Sequence, residues 1–291
     1  MKALLFNHHP EHLWEYKRSL ESLGIEPYFA TEELAFKYGA TYYSVNSEFK
    51  WRRGPKWFES KELFEDVFKY SSTEEGFNYI FTMNREIANN IPFDPKRLFF
   101  IAPVSWDLLN MNNHQKYKKI TAHPMAENFG AKYIPRFVQM YGQQKNKKYI
   151  TQLMENYNNS IFYKELLDLK KTNDVIIAGS NTAPDGIVFD WEVLSETSML
   201  VHHKNYGVVC TAVLKALDCG IPVYTTKENR TQMGFTELPD FCFIFADDMN
   251  IKQGYEYSKT VDNKLIQSTY RYIFNLNNSA NRVKQLIEGS L

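Results

Sequence analysis

The chain has 291 residues, 34 Lys+Arg against 34 Asp+Glu, 44% hydrophobic and 15% aromatic side chains, and three cysteines. That composition excludes an intrinsically disordered chain and a disulfide-stapled scaffold. Residues 1–125 hold 16 basic and 16 acidic side chains, leaving 18 of each beyond, so a uniformly basic polyanion binder is excluded and any polyanion site is a local patch.

In chain order, Lys2-Ala3-Leu4-Leu5-Phe6-Asn7 is a short apolar run ending at His8-His9-Pro10. Leu13, Tyr16, Leu20 and Leu23 then recur at helical spacing until Gly24 stops the pattern. This is strand, loop, helix. Further strand-like runs lie at Ala40–Val45, Tyr79–Met83, Leu98–Pro103 and Lys119–Ala122, with a helical pattern at Ser60–Tyr70. A second series begins after Tyr133-Ile134-Pro135. Arg136–Tyr141 is expected as a strand, Gly142–Lys148 as a polar loop, and Tyr149–Tyr157 as the start of a helix. Ser160–Lys170 is an amphipathic helix with Asn159 or Ser160 as its cap. Asp174–Gly179 is a buried strand, Phe189–Leu194 enters a helix, Met199–His203 is strand-like and Val208–Cys219 is an apolar helix. Val223-Tyr224 and Phe241–Ala246 complete the strands. Strands alternating with helices predict an α/β architecture with parallel sheets.

A chain of this length buries roughly 75% of its unfolded surface, enough for two domains of about 150 residues. The expected division is residues 1–130, residues 131–275, and a C-terminal helix in 276–291 that crosses back to the first domain. The longest apolar stretch, Leu98–Val104, is far below the ~18 residues of a spanning helix, so a cytoplasmic protein with no membrane span is expected. Cys210, Cys219 and Cys242 lack metal-ligand spacing, which predicts free thiols and no metal site.

Four stretches carry candidate chemistry. A diphosphate needs backbone N–H groups at a helix start and one or two cations. Gly142 and Lys145 offer both, if Lys145, Lys147 and Lys148 are more than a solvated helix start. Asp107 follows the Leu98–Pro103 strand by a short loop. It is either a base that takes a proton from a hydroxyl or the N-cap in front of Leu108-Leu109. His8 and His9 follow the first strand, with Glu11 and His12 opening the next helix, and His202-His203 form a similar pair at a strand end. His123 is either a further ligand or a structural histidine. Finally, Trp51, Arg52, Arg53, Lys56 and Trp57 surround a Gly54-Pro55 turn. Cations interleaved with indoles suit phosphate contacts and stacking on a base or sugar, or a surface loop anchored by its tryptophans.

Ala216-Leu217-Asp218-Cys219-Gly220-Ile221-Pro222-Val223-Tyr224 resembles the helix-to-strand element "EALACGTPVV" of retaining nucleotide-sugar glycosyltransferases with the GT-B fold. Tyr141-Gly142-Gln143-Gln144-Lys145-Asn146 is similar to that family's "GR…K" loop, and Phe241–Asp248 sits where its "GLLVPPGD" turn falls. The resemblance implies two Rossmann-like domains facing across a cleft, a UDP-sugar donor, no required cofactor and no obligate protein partner. By register from Gly220, two glutamates that approach the donor in the family are here Gly207 and Lys215. The donor hydroxyls then fall to Asn205, Tyr206, Thr211 and Glu228, or the chain has lost its donor. Lys215 either contacts a phosphate or snorkels from the helix edge.

The expected function is sugar transfer from a nucleoside diphosphate to a hydroxyl. The position of Asp107 is similar to that of the base in phage DNA β-glucosyltransferases, which implies hydroxymethylated DNA as acceptor and the Trp51–Trp57 stretch as its contact. The alternatives are a surface glycan or protein acceptor, or a non-catalytic nucleotide-binding protein on the same fold.

Overall fold

Strands covered on both faces read as continuous apolar runs, and Leu98–Ala102 is buried at every position. The computed structural model describes residues 1–6, 10–29, 76–83, 88–89, 93–102, 117–138, 147–154, 156–180, 182–187, 192–204 and 209–289. The chain divides into two compact units, Met1–Arg136 with Leu276–Leu291, and Phe137–Asn275.

In the first unit, β1 (Lys2–Phe6), α1 (Pro10–Ser22), β2 (Glu26–Phe29), β3 (Tyr79–Thr82), β4 (Leu98–Ala102), β5 (Lys118–Thr121) and β6 (Lys132–Tyr133) build a six-stranded sheet. Its order is β2-β1-β3-β4-β5-β6 and every pairing is parallel. The period of two sends Ala3, Leu5, Phe81, Phe99 and Ile101 to one face, under Tyr16 and Leu20 of α1. Leu4, Ile80, Leu98 and Phe100 go to the other. The C-terminal helix, Leu276–Glu288, joins the first face through Val283 and Leu286. Its Ser279 hydroxyl lies 3.1 Å from that of Ser19, and Lys118 Nζ donates to the Leu286 carbonyl at 3.0 Å. Next to it, Arg136 donates from Nε and Nη2 to the Glu15 carboxylate at 2.6–3.0 Å, both side chains 4% exposed.

The second unit holds β7 (Tyr149–Leu153), α2 (Tyr163–Leu169), β8 (Val175–Ala178), β9 (Thr197–Val201), α3 (Thr211–Asp218), β10 (Val223–Thr225), α4 (Lys227–Gln232), β11 (Phe243–Phe245), α5 (Ile251–Ser258) and α6 (Asn263–Ile273). The five strands are all parallel, in the order β11-β10-β9-β7-β8. Strand order reverses between β7 and β9, so the switch point of this sheet lies there.

Four expectations from sequence change. Tyr149–Leu153 is the central strand of the second sheet rather than a helix. Ile150 and Thr151 are β-branched, residues 150–153 are buried, and the strand is paired on both edges, which outweighs any helical pattern. Arg136–Val138 is irregular chain rather than strand. The helix expected from Phe189 is a short 3-10 turn at Glu192–Glu196 within the described residues. The helix after residue 160 starts at Tyr163, with Phe162 at its cap and Ser160 Oγ accepting from the Phe162 N–H at 3.3 Å.

Candidate functional site at the carboxyl edge of the second sheet

In open parallel sheets ligands bind beyond the carboxyl ends of the strands, at the switch point. In the second unit those ends are Met154 after β7, Gly179 after β8, His202-His203-Lys204 after β9, Thr226 after β10 and Ala246 after β11. Gly179 has φ +117°, and a Cβ there would run into the Met154 backbone. Only glycine lets these two strand ends approach so closely.

α3 starts at this edge. Its stop is encoded by Gly220, at φ +73°, whose N–H donates to Leu217 O at 2.9 Å, while the Ile221 N–H donates to Ala216 O at 2.8 Å. α6 fixes the far end of α3: Arg271 Nε donates to Asp218 at 2.6 Å and Gln267 Nε2 to the Asp218 carbonyl at 2.6 Å. The amino end of α3 lies at this edge, with Cys210 as its cap residue and no side-chain capping bond from it. Among the described residues, Lys204 forms no ion pair. Lys227 differs: its Nζ is paired with Asp248 at 2.9 Å and its backbone N–H with Asp247 at 2.8 Å.

Asn229 ties this edge together. Its Oδ1 accepts from the Lys204 N–H at 3.1 Å and from the Thr225 hydroxyl at 3.2 Å, and its Nδ2 donates to the Lys204 carbonyl at 2.6 Å. Thr226 caps α4 by accepting from the Asn229 N–H at 3.0 Å. The loop after β9 is thereby fastened to the loop after β10.

The electrostatics are uneven. His202 is fully buried and neither ring nitrogen has a hydrogen-bond partner. Burial pushes the Cys210 thiol up, but the His202 charge, a weaker hydrogen-bonding interaction with that imidazole, Lys204 and the Ala212 N–H outweigh it and leave the thiol lowered to about 6. His203 is held below the ordinary histidine value by burial and by His202, against the opposing charge of Glu228.

Of the residues singled out from sequence, Thr211 and Glu228 come to this edge, with His202 and His203. Glu228 Oε1 accepts from Gln232 Nε2 at 2.9 Å. Lys215 lies one turn into α3, partly buried, where its charge lowers the Cys219 thiol against a net rise to about 11 caused by burial and Asp218. His123 is structural: it is buried and its Nδ1 accepts from the Met125 N–H at 3.2 Å. His8, His9, Trp51, Arg52, Arg53, Lys56, Trp57, Asp107, Gly142, Lys145, Asn205, Tyr206 and Gly207 lie outside the described residues. The premise that the loop 142–148 opens a helix does not hold, because Lys147-Lys148 leads into β7. Lys148 donates its N–H to Glu196 O, just before β9, and its Nζ pairs with Asp174, just before β8, so this segment reaches the amino edge of the sheet. The loop at the carboxyl edge is Met154–Ser160. Lys204, Cys210 and Asn229 were not anticipated. Asn229 is three residues after Thr226, but nothing in that spacing specifies a partner on β9.

No helix among the described residues is long and apolar enough to cross a membrane, and no group of three or more His, Cys, Asp or Glu among them is placed to hold a metal ion. No protein-family model and no curated protein sequence matches the chain. Solved structures do. A sucrose-phosphate synthase from Thermosynechococcus elongatus superposes with TM-score 0.62 at 10% identity, covering 100% of this chain and 99% of that one. AviGT4, a glycosyltransferase involved in avilamycin A biosynthesis, gives 0.61 at 10% identity over 99% and 98%. A TarM mutant from S. aureus in complex with fondaparinux, alpha-GlcNAc-glycerol and UDP gives 0.56 at 11% identity over 99% and 100%. These neighbours are GT-B glycosyltransferases, and with its two parallel-sheet units the chain has the GT-B fold of two Rossmann-like domains.

Proposed function

We propose that the protein transfers a sugar from a nucleoside-diphosphate sugar, of the UDP class, to a hydroxyl acceptor. The observation that carries this reading is that the α3 amino end and Lys204, which forms no ion pair among the described residues, both lie at the carboxyl edge of the second sheet. A leaving diphosphate develops negative charge as the glycosidic bond breaks, and helix N–H groups with a cation stabilise that charge. Thr211 and Glu228 are the described side chains available to donor hydroxyls at this edge, and Asn205 and Tyr206 are proposed beside them. Gly142 and Lys145 keep a donor role only as the less favoured assignment. Asp107, His8 and His9 are the proposed groups for the acceptor's proton. The presence of UDP in the TarM complex supports the choice of nucleotide by analogy of fold.

The acceptor reading is hydroxymethylated DNA, gripped by Trp51, Arg52, Arg53, Lys56 and Trp57, and it rests on the residue types of that stretch and on the position of Asp107 in the sequence. The test of the donor is a thermal-shift series with UDP, UDP-sugars and other nucleoside diphosphates, since a ligand that binds only the native state raises the melting temperature. Stabilisation by one sugar nucleotide, followed by UDP release when a hydroxyl acceptor is added, is expected. Binding without turnover on any acceptor favours the non-catalytic reading, which the Gly207 and Lys215 substitutions motivate; no binding at all refutes the donor assignment. An absence of DNA binding at low salt removes DNA as acceptor.

A further inference from the structure

Two carboxamides form a hydrogen-bonded relay at the carboxyl edge of the second sheet. Asn229 is buried, and the Lys204 backbone fixes which way it points: Oδ1 accepts from the Lys204 N–H and Nδ2 donates to the Lys204 carbonyl. The second hydrogen of Nδ2 goes to Gln232 Oε1 at 3.4 Å. Gln232 is thereby oriented in turn, and its Nε2 donates to Glu228 Oε1 at 2.9 Å. The far end demands the same polarity, because an ionised carboxylate only accepts.

Glu228 is exposed on the first turn of α4. Among the described residues it forms no ion pair, and its Oε2 has no partner. Its charge reaches His203 after β9. A free glutamate on a helix surface spreads over several rotamers, whereas an N–H donated to Oε1 restrains the carboxylate and leaves Oε2 open. Glu228 and Gln232 are also an i, i+4 pair, which by itself would do no more than stabilise α4 slightly. The anchor on buried Asn229, and through it on the loop after β9, sets this pair apart.

We propose that Gln232 is a positioning residue for the donor sugar: tied to Asn229, it holds Glu228 Oε1 so that Oε2 accepts a hydrogen bond from a sugar hydroxyl. The assignment rests on the nucleotide-sugar reading of this edge. The relay ends on the backbone of Lys204, the cation given to the diphosphate, so one network holds a group for each part of the donor.

The test is isothermal titration of the full chain with UDP, UDP-glucose, UDP-galactose and UDP-N-acetylglucosamine, in the native protein, Gln232→Met, Glu228→Ala and the double variant. Methionine keeps the length and helix preference of glutamine and removes both hydrogen bonds. Gln232→Met is expected to weaken the tightest-binding UDP-sugar about five- to tenfold and to leave UDP within about twofold, and Glu228→Ala to weaken the UDP-sugar at least as much. In the Glu228→Ala background, Gln232→Met should add less than about twofold, because a residue that acts through the carboxylate has nothing left to hold. A merely structural role would lower the melting temperature without separating UDP-sugar from UDP. Unchanged UDP-sugar affinity in Gln232→Met, equal losses for UDP and UDP-sugar, or losses that multiply in the double variant would overturn the proposal and leave the donor reading standing. A native protein that binds none of the four ligands overturns the donor reading, and the proposal with it.

Discussion

Asn229 grips the backbone of Lys204 from both sides, accepting its N–H at 3.1 Å and donating to its carbonyl at 2.6 Å. The carboxamide is 1% exposed and has the one donor and one acceptor that this pair needs. Asn229→Ala leaves both backbone groups and the Thr225 hydroxyl without their partner, and the expected cost is about 2 kcal/mol in urea unfolding. Asn229→Asp keeps the acceptor and loses the donor, so it should fall between. A loss under ~0.5 kcal/mol in the alanine variant would mean that water replaces the clamp.

The Glu15–Arg136 pair is the most deeply buried ion pair of the first unit among the described residues. Removing one side of this bidentate pair takes its main counter-charge from a buried group, so Arg136→Met and Glu15→Gln should each destabilise the protein by more than an apolar pair at both positions does. A double-mutant cycle measures this, and additive losses would contradict it.

How much of this was legible in the sequence depends on the range of the signal. Leu98–Ala102 and Val223–Thr225 announce themselves as buried runs, and Gly24 and Gly220 mark helix ends at positive φ. These are local effects. Tyr149–Leu153 was misread because its strand state depends on β8 and β9 pairing on either side. The loop expected at Gly142–Lys145 lies outside the described residues. The Asn229–Lys204 clamp joins residues brought together only by the parallel order of β9 and β10, and no spacing along the chain encodes it.

Gly179 tests the close approach of β7 and β8. Its φ of +117° and the Met154 backbone against its missing Cβ leave no space for a side chain. Gly179→Ala is expected to destabilise the second unit by ~2 kcal/mol or more. Gly186→Ala, at φ +64° with open space around it, should cost less. Equal losses would show that conformation alone, rather than the contact, decides both.

The pH dependence of stability follows from Cys210 and His203 with the same sign. Cys210 is lowered from 9.0 to about 6, so the unfolded chain binds its proton first. Its contribution is fully present above about 9 and is lost as pH falls through about 6. His203 is lowered from 6.5, so its contribution is present above 6.5 and is lost as pH falls through its folded value. Cys219 and Cys242, raised to about 11 and about 12, act only above about 9, where stability falls. Melting temperatures should therefore climb from pH 6 to 9. Cys210→Ser should flatten that rise, and His203→Gln should flatten the part below 6.5. A native profile level across the whole window would refute the thiolate.

Two lysines are the competing cations for a diphosphate. Lys145 lies outside the described residues, and Lys148 bonds Glu196 and Asp174 where β9 and β8 begin. Lys204 follows β9, next to the α3 amino end. Lys204→Ala should weaken UDP binding by ~1.5–3 kcal/mol, the value of a hydrogen bond to a charged group, and Lys145→Ala should leave it unchanged. Isothermal titration with UDP at low and moderate salt measures both. If instead Lys145→Ala carries the loss, the diphosphate does not sit at the switch point, and the roles given to Thr211 and Glu228 fall with it.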